Sequence, residues 1–261
     1  MRHRSLPIYI ILLIVFLAAV LPEEANAQTR RGGRVYRFMN ILEHDERPYH
    51  FGFSLGYNLM SFSVIPDSDL SGYGFEYVLA GPPDQREQLW TSGFHIGIVS
   101  NLKLGRYFDL RFVPTYVHHN DRPLGYYAPG DYPNNHDRAK LQEFETSIID
   151  FPLHIKYKSE RMNNWRSYVI GGVKYSLDLQ NPVGTPTGGE DIFLRIGKHD
   201  LLYEVGVGFD HYFYYFKFST EIKASFGFRD LVLAGEVGLD PHWNSIDRLN
   251  SRSIMISFLF E

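Results

Sequence analysis

The chain has 261 residues, no cysteine and a formal net charge of −4. The lack of cysteine excludes a disulfide framework and thiol chemistry, and the small negative charge argues against nucleic acid as a partner. The mean hydropathy is slightly negative, at −0.23. This value excludes a polytopic helical membrane protein but permits a membrane barrel, because half of every barrel strand is polar.

Residues 1–27 have the pattern of a secretory signal. Arg2 and Arg4 supply a positive start, residues 8–21 are apolar, and Ala25-Asn26-Ala27 fits a small-x-small cleavage site. The alternative is a membrane anchor, but the apolar run is short for a span of about 20 residues. We therefore expect cleavage after Ala27. Residues 28–49, which are polar and lack periodicity, are predicted to form a periplasmic N-terminal segment ahead of a barrel domain at 50–261.

Residues 149–179 show the clearest periodicity in the chain. Apolar and polar residues alternate on both sides of a short polar stretch at 159–164. A period of two is produced by a strand, so this segment predicts a hairpin with one apolar and one polar face. Such a hairpin fits a transmembrane barrel with lipid outside and a polar lumen inside, or a soluble sandwich with one wet face.

The same alternation recurs along the chain and predicts eight strands. They lie at about residues 50–64, 93–104, 108–118, 149–158, 168–179, 201–213, 216–226 and 252–260. Long connections at 65–91, 119–143, 180–199 and 228–250 alternate with short turns. Outer-membrane barrels have short periplasmic turns, long extracellular loops and an even strand number. The pattern predicts an all-β, eight-stranded antiparallel outer-membrane β-barrel with both termini in the periplasm.

The predicted inward face carries the charges, and the centres of the outward faces carry none. The inward side chains are predicted to form a lumen charge network of Asp109, Arg111, Asp150, Lys156, Lys174, Asp178, Glu204, Asp210, Lys217, Glu221 and Lys223, with Lys103 beside them. Because eight strands enclose a bore that side chains fill, we interpret these charges as a mutually neutralising plug. The alternative is an ion or solute path.

The candidates for enzyme chemistry lie at the predicted barrel rim. They are His118, His119, Asp121 and His136. A catalytic histidine needs a nucleophile or an orienting acid nearby, and no serine lies close in sequence. The chain also has no nucleotide fingerprint and no established metal-ligand spacing. We therefore predict a protein that is not an enzyme, with no catalytic residue, no cofactor, no metal site and no evident small-molecule substrate.

Several segments resemble one family of small outer-membrane barrels, the PorT family, called SprT in gliding bacteria. The resemblance covers about residues 36–261, and its most specific part is KYKSERMNNWRSYVIGG. The segments that carry it are HFGFSLGYN (50–58), GFHIGIVSNLKL (93–104), FPLHIKYKSERMNNWRSYVIGGVKYSLDL (151–179), YFKFSTEIKASFG (215–227) and SIDRLNS (245–251). The resemblance implies a role in the type IX secretion system, in export of proteins with C-terminal sorting domains, and in gliding where that exists.

The partners expected from this resemblance are outer-membrane lipid and other type IX secretion components. Because secretion machinery is reached from the periplasm, we expect the contacts at the periplasmic turn, through Glu160, Arg161, Asn163, Asn164 and Trp165. A structural interpretation stays open, in which the two asparagines form the turn and the tryptophan anchors at the interface. The alternative function is a porin-like barrel that binds a ligand or surface through its extracellular loops.

We predict that the mature protein lacks residues 1–27 and is integral to the outer membrane. It should remain in the membrane after carbonate extraction, and unheated samples should migrate faster on gels, because a closed barrel resists unfolding in detergent. Recovery of the protein in the soluble periplasm would contradict the barrel.

Overall fold

The computed structural model describes residues 40–41, 47–66, 77–80, 90–127, 140–180, 196–232 and 246–261. The predicted signal and most of the predicted N-terminal segment lie outside these ranges. The strands are β1 (Tyr49–Pro66), β2 (Tyr77–Ala80), β3 (Thr91–Lys103), β4 (Phe108–Phe112), β5 (Thr115–Tyr127), β6 (Lys140–Lys158), β7 (Trp165–Asp178), β8 (His199–Tyr212), β9 (Lys217–Gly227) and β10 (Ile246–Phe260). Among the described residues, no helix is long and apolar enough to cross a membrane.

The strands close into a ring of eight antiparallel lines. β1 pairs with both β3 and β10, and each of β6 to β9 pairs with the next strand in sequence. β4 and β5 form one line that pairs with β3 on one side and with β6 on the other. β2 pairs with residues 124–127 of β5, beyond the part of β5 that pairs with β3. The predicted eight-stranded barrel is confirmed.

The break between β4 and β5 is caused by a proline. Ser100 pairs with Phe112 and Gly97 with Thr115, so both segments keep one register against β3 and no residue is inserted. Pro114 has no N–H to donate to the ladder, although its carbonyl still accepts from Ile98 N at 3.0 Å. The barrel wall therefore stays continuous between β4 and β5.

Several strands extend further than the alternation predicted. The predicted loop at 119–143 is wrong at both ends, since β5 runs to Tyr127 and β6 begins at Lys140, with Tyr126 opposite Lys140. The predicted loop at 228–250 is also too long, because β10 begins at Ile246. Backbone pairing continues in these extensions, but apolar and polar residues do not alternate cleanly there. The sequence pattern therefore cannot detect them as strands.

The barrel is apolar outside and charged inside. Ile98 is 66% exposed and Ile155 is 55% exposed, whereas Arg111 and Lys156 are fully buried. A water-soluble protein buries its aliphatic side chains and almost never fully buries Arg or Lys. The inverted arrangement excludes the soluble-sandwich alternative.

The interior is less uniformly polar than the sequence predicts. Near the end where the longer connections leave the ring, which we call the loop end, Met60, Val117, Ile148 and Met255 form a buried apolar cluster. A second inward cluster consists of Val99, Val113 and Leu259. Apolar side chains therefore share the lumen with the charged residues.

Ile222 tests the lipid-facing surface, since it lies near the middle of β9 and is 51% exposed. Replacing it with lysine should destabilise the folded barrel by roughly 2–4 kcal/mol, the cost of a cation at the bilayer midplane. Ile222→Leu is the matched control and should unfold like the parent chain. The measurement is urea unfolding in lipid vesicles, and equal midpoints for the two variants would show that Ile222 does not face lipid.

Candidate functional site

Glu204 is the centre of one part of the lumen charge network. Its carboxylate lies 3.3 Å from Lys174 Nζ, 3.4 Å from Lys223 Nζ and 2.8 Å from His154 Nε2. Ser225 Oγ donates to it at 2.5 Å. These partners come from β6, β7 and β9, so the carboxylate of one β8 residue connects four strands across the lumen.

Arg111 is the centre of a second part. Its guanidinium is fully buried and contacts Glu221 at 2.9 Å and Glu261 at 3.3 Å. Lys217 also pairs with Glu261, and Tyr168 donates to Glu221 at 2.8 Å. Burial alone would raise the pKa of the Glu261 carboxyl, but Lys217 and Arg111 outweigh burial and hold it below its usual value.

A third part links β6 to β8. Lys156 Nζ donates to both carboxylate oxygens of Asp210, at 2.8 and 3.0 Å, and lies 3.6 Å from the centre of the Tyr168 ring. The ring occupies the space above Gly208, where a Cβ atom would lie 2.3 Å from Tyr168 Cζ. Glycine at 208 is therefore needed for the aromatic ring to reach the cation.

All eleven residues of the predicted network are inside the ring and buried. Asp109 pairs with Lys158 at 2.6 Å, and Asp150 with Lys174 at 3.2 Å. Asp178 lies at the loop end, where it accepts from Gln180 N at 3.1 Å. The predicted neighbour Lys103 is only half-buried.

Some members of the network were not named from the sequence. They are His154, Lys158, Tyr168 and Glu261. The alternation of β6 does place His154 and Lys158 on the inward face. Glu261 follows the last strand and has no such signal. Its side chain turns into the lumen because two buried cations lie there.

The predicted contact residues lie at the end of the barrel with the turns 104–107, 159–164 and 213–216, which we call the short-turn end. Asn163 and Asn164 are the central residues of a tight turn closed by Met162 and Trp165, and Asn163 has a φ of 58°. Glu160 pairs with Arg106 at 2.8 Å. Trp165 is 38% exposed on the outer face.

The short-turn end also holds the chain that precedes β1. Asn40 N donates to Asn164 Oδ1 at 2.8 Å, and Asn40 Nδ2 donates to the Tyr212 carbonyl at 3.0 Å. Arg161 donates to the Asn40 carbonyl and lies 3.7 Å from the centre of the Tyr212 ring. We call Asn40, Arg161, Asn164 and Tyr212 the clasp. It joins the β6–β7 turn to the chain that precedes β1.

The residue after the clasp adopts an unusual backbone conformation. Ile41 has a φ of 47°, which is a genuine outlier for a β-branched residue. Such a conformation costs of order 1–3 kcal/mol and persists where surrounding contacts determine it. The hydrogen bonds of the adjacent Asn40 supply such contacts.

The two described rim histidines, His118 and His119, lie on opposite faces of β5. His119 points into the lumen, where Nδ1 lies 2.8 Å from Asn58 Nδ2. His118 is on the outer face and packs against an aromatic ring of β3. The side chain of Asp121 and all of His136 lie outside the described residues. In the described ranges, no three His, Asp or Glu side chains are grouped as metal ligands.

A family model described as "Outer membrane protein beta-barrel domain" matches residues 26–233. The chain belongs to this family. It is therefore a porin-like β-barrel protein of the bacterial outer membrane, embedded in that membrane through its strands. No curated protein matches the chain.

Solved structures of small outer-membrane barrels are similar to this family member. Neisserial surface protein A is 11% identical with a TM-score of 0.41, over 82% of this chain and 98% of that one. OprG from Pseudomonas aeruginosa is 9% identical with a TM-score of 0.39, over 80% and 94%. The N-terminal barrel of OprF from the same organism is 10% identical with a TM-score of 0.28, over 79% and 96%.

We predict that Glu204→Gln destabilises the barrel by about 3–5 kcal/mol, the range for breaking a buried ion pair. The amide keeps the size of the side chain but leaves Lys174 and Lys223 with less negative charge. The measurement is the urea midpoint in detergent. Glu160→Gln is the control, since its exposed pair should contribute little. Equal shifts would mean that the buried network does not hold the wall together.

Proposed function

We propose that this outer-membrane barrel is a component of the type IX secretion system, needed for export of proteins with C-terminal sorting domains and for gliding where that exists. The resemblance of residues 151–179 to the PorT family supports this role. That segment forms most of the β6–β7 hairpin, whose turn supplies Arg161 and Asn164 to the clasp.

The packed lumen supports action by contact rather than by conduction. Arg111, Lys156 and Lys174 are fully buried between strands, and each lies within 3.5 Å of a carboxylate. The apolar cluster around Met60 and Ile148 fills the ring near the loop end. A bore filled in this way has no room for a polypeptide cargo.

The observation that carries the proposal is the clasp at the short-turn end. In this proposal that end faces the periplasm, with both termini. Asn40 is held on the β6–β7 turn, so Asn40 and the turn present one surface of fixed geometry to other secretion components. Tyr214 and Tyr215 extend that surface, being 73% and 87% exposed at the tip of the next turn. Exposed aromatic residues at a turn tip are typical of contact surfaces.

We expect the double variant Glu160→Ala/Arg161→Ala to insert normally but to reduce secretion of the sorting-domain proteins by several-fold. It removes the Arg106 ion pair and the arginine of the clasp, and so loosens the surface without touching the lumen. The matched control is Asp247→Ala/Lys198→Ala, which removes one exposed acid and one exposed cation at the loop end. The measurements are the secreted protein profile and crosslinking to neighbouring proteins.

Full secretion with unchanged crosslinks in Glu160→Ala/Arg161→Ala would contradict a partner site at the clasp. Equal loss in the loop-end control would point to general misassembly. Gene deletion tests the role itself, since a component of the system should be required for many secreted proteins at once.

The alternative is a porin-like barrel that binds a ligand through its loop end, and one observation favours it. A pocket opens there above Met60 and Ile148, with Asp178, Lys198 and Asp200 on its wall. A normal secreted protein profile after gene deletion, together with loss of adhesion to a surface, would support this function instead.

A further inference from the structure

The outer wall differs between its two ends. At the short-turn end, the described outward strand positions carry no lysine or arginine and are rich in aromatic residues. The aromatic residues are Phe108, Tyr157, Trp165 and Phe260 on the strands and Phe216 directly before β9. At the loop end, Arg248 and Arg252 lie on β10 and Arg229 lies beside it, with Arg229 and Arg248 exposed and Arg252 half-buried. The outer wall is therefore aromatic and uncharged at the short-turn end and basic at the loop end.

Arg229, Arg248 and Arg252 lie on neighbouring chain segments at the loop end, and we call them the basic row. Arg252 is opposite Phe226 in the β9–β10 ladder, and the Asn250 side chain donates to the Arg229 carbonyl at 2.8 Å. Arg248 lies on the same outward face of β10 as Arg252. The row thus follows the upper edge of one side of the barrel.

The basic row is at the depth of a membrane interface. A tilted barrel strand crosses the hydrocarbon layer in about 9–11 residues. Counted along β10 from Phe260, that distance ends between Arg252 and Arg248. Tyr203 and Phe226 stack beside Arg252, on the membrane side of Arg248, with ring centres 5.2 Å apart and nearly half of each residue exposed. Acyl chains would pack on these rings, and charged headgroups would lie beside the arginines.

The arginines of the row have no acidic partner in the described part of the chain. The carboxylate of Asp230 accepts from Val232 N and Leu249 N instead. Arg252 packs on the Trp90 ring at 5.0 Å, and its buried Nε atom has no hydrogen-bond acceptor. The exposed Arg106 at the other end, by contrast, is neutralised by Glu160. The basic row is therefore set up for an anionic group from outside the protein.

We propose that the basic row binds the phosphate groups of lipopolysaccharide in the outer leaflet, with the acyl chains on the aromatic surface below. Arginine suits this ligand, because its planar guanidinium forms paired hydrogen bonds with phosphate oxygens. Lipopolysaccharide carries several phosphates on one multi-acyl headgroup, which matches several arginines above a broad apolar surface. The aromatic end lacks such a row and suits the phospholipid leaflet. This proposal is independent of the secretion role.

The test uses the purified full barrel in detergent, with hexa-acyl lipid A bearing two phosphates as the probe. Arg229→Gln/Arg248→Gln should weaken binding roughly thirtyfold, since each arginine at an anionic lipid surface contributes a factor of about five. The matched control, Arg47→Gln/Arg106→Gln, removes two exposed arginines at the other end and should bind like the parent. Native mass spectrometry and fluorescence titration measure the affinity, and heat-dependent gel migration verifies folding.

Lipid A with a single phosphate and phosphatidylglycerol vesicles complete the test. Weaker binding of both, with the loss confined to the loop-end variant, would support the proposal. Unchanged affinity in Arg229→Gln/Arg248→Gln would overturn it, as would an equal loss in the short-turn control. Equal or tighter binding of phosphatidylglycerol would overturn the assignment to lipopolysaccharide and indicate a general anionic-lipid surface.

Discussion

The pairing of buried charges inside the ring is the constraint on which the rest of the structure depends. Arg111 is fully buried, and a buried cation without a partner costs several kcal/mol. Its partners Glu221 and Glu261 come from β9 and from the residue after β10. Each strand must therefore keep its register and its neighbours for the charges to meet. The network specifies the closed barrel as well as filling it.

Because side chains fill the lumen, the surfaces for which we propose a function lie at the two ends of the barrel. The short-turn end carries the clasp, where Asn40 is held by Arg161, Asn164 and Tyr212. The loop end carries the basic row beside the membrane interface. The first surface is formed by hydrogen bonds within the chain and presents a fixed shape. The second has cations without acidic partners among the described residues. This difference in hydrogen bonding and charge pairing is the reason that we propose a protein partner for the clasp and a lipid for the basic row.

Alternation failed where the membrane no longer imposes it. Within the bilayer, lipid requires apolar residues outside and the lumen accepts polar residues inside, so strand centres are readable from sequence. Beyond that zone the sequences of β5 and β6 no longer alternate cleanly, and Tyr126 still pairs with Lys140. The predicted loops were too long for this reason. Tyr212 is 2% exposed and turns inward to meet Arg161, a contact that the alternation does not indicate.

The sequence by itself determined the barrel, its eight strands and which side chains point inward. A period of two and connections of alternating length leave few other architectures. Only the tertiary structure decided which charges meet. Lys156 reaches Asp210 two strands away, and Arg111 reaches Glu261 at the far end of the chain. Such pairs depend on strand tilt and on closure of the ring, which bring together residues that local patterns cannot relate. The clasp has the same origin, because Asn40 meets Asn164 only after the ring has closed.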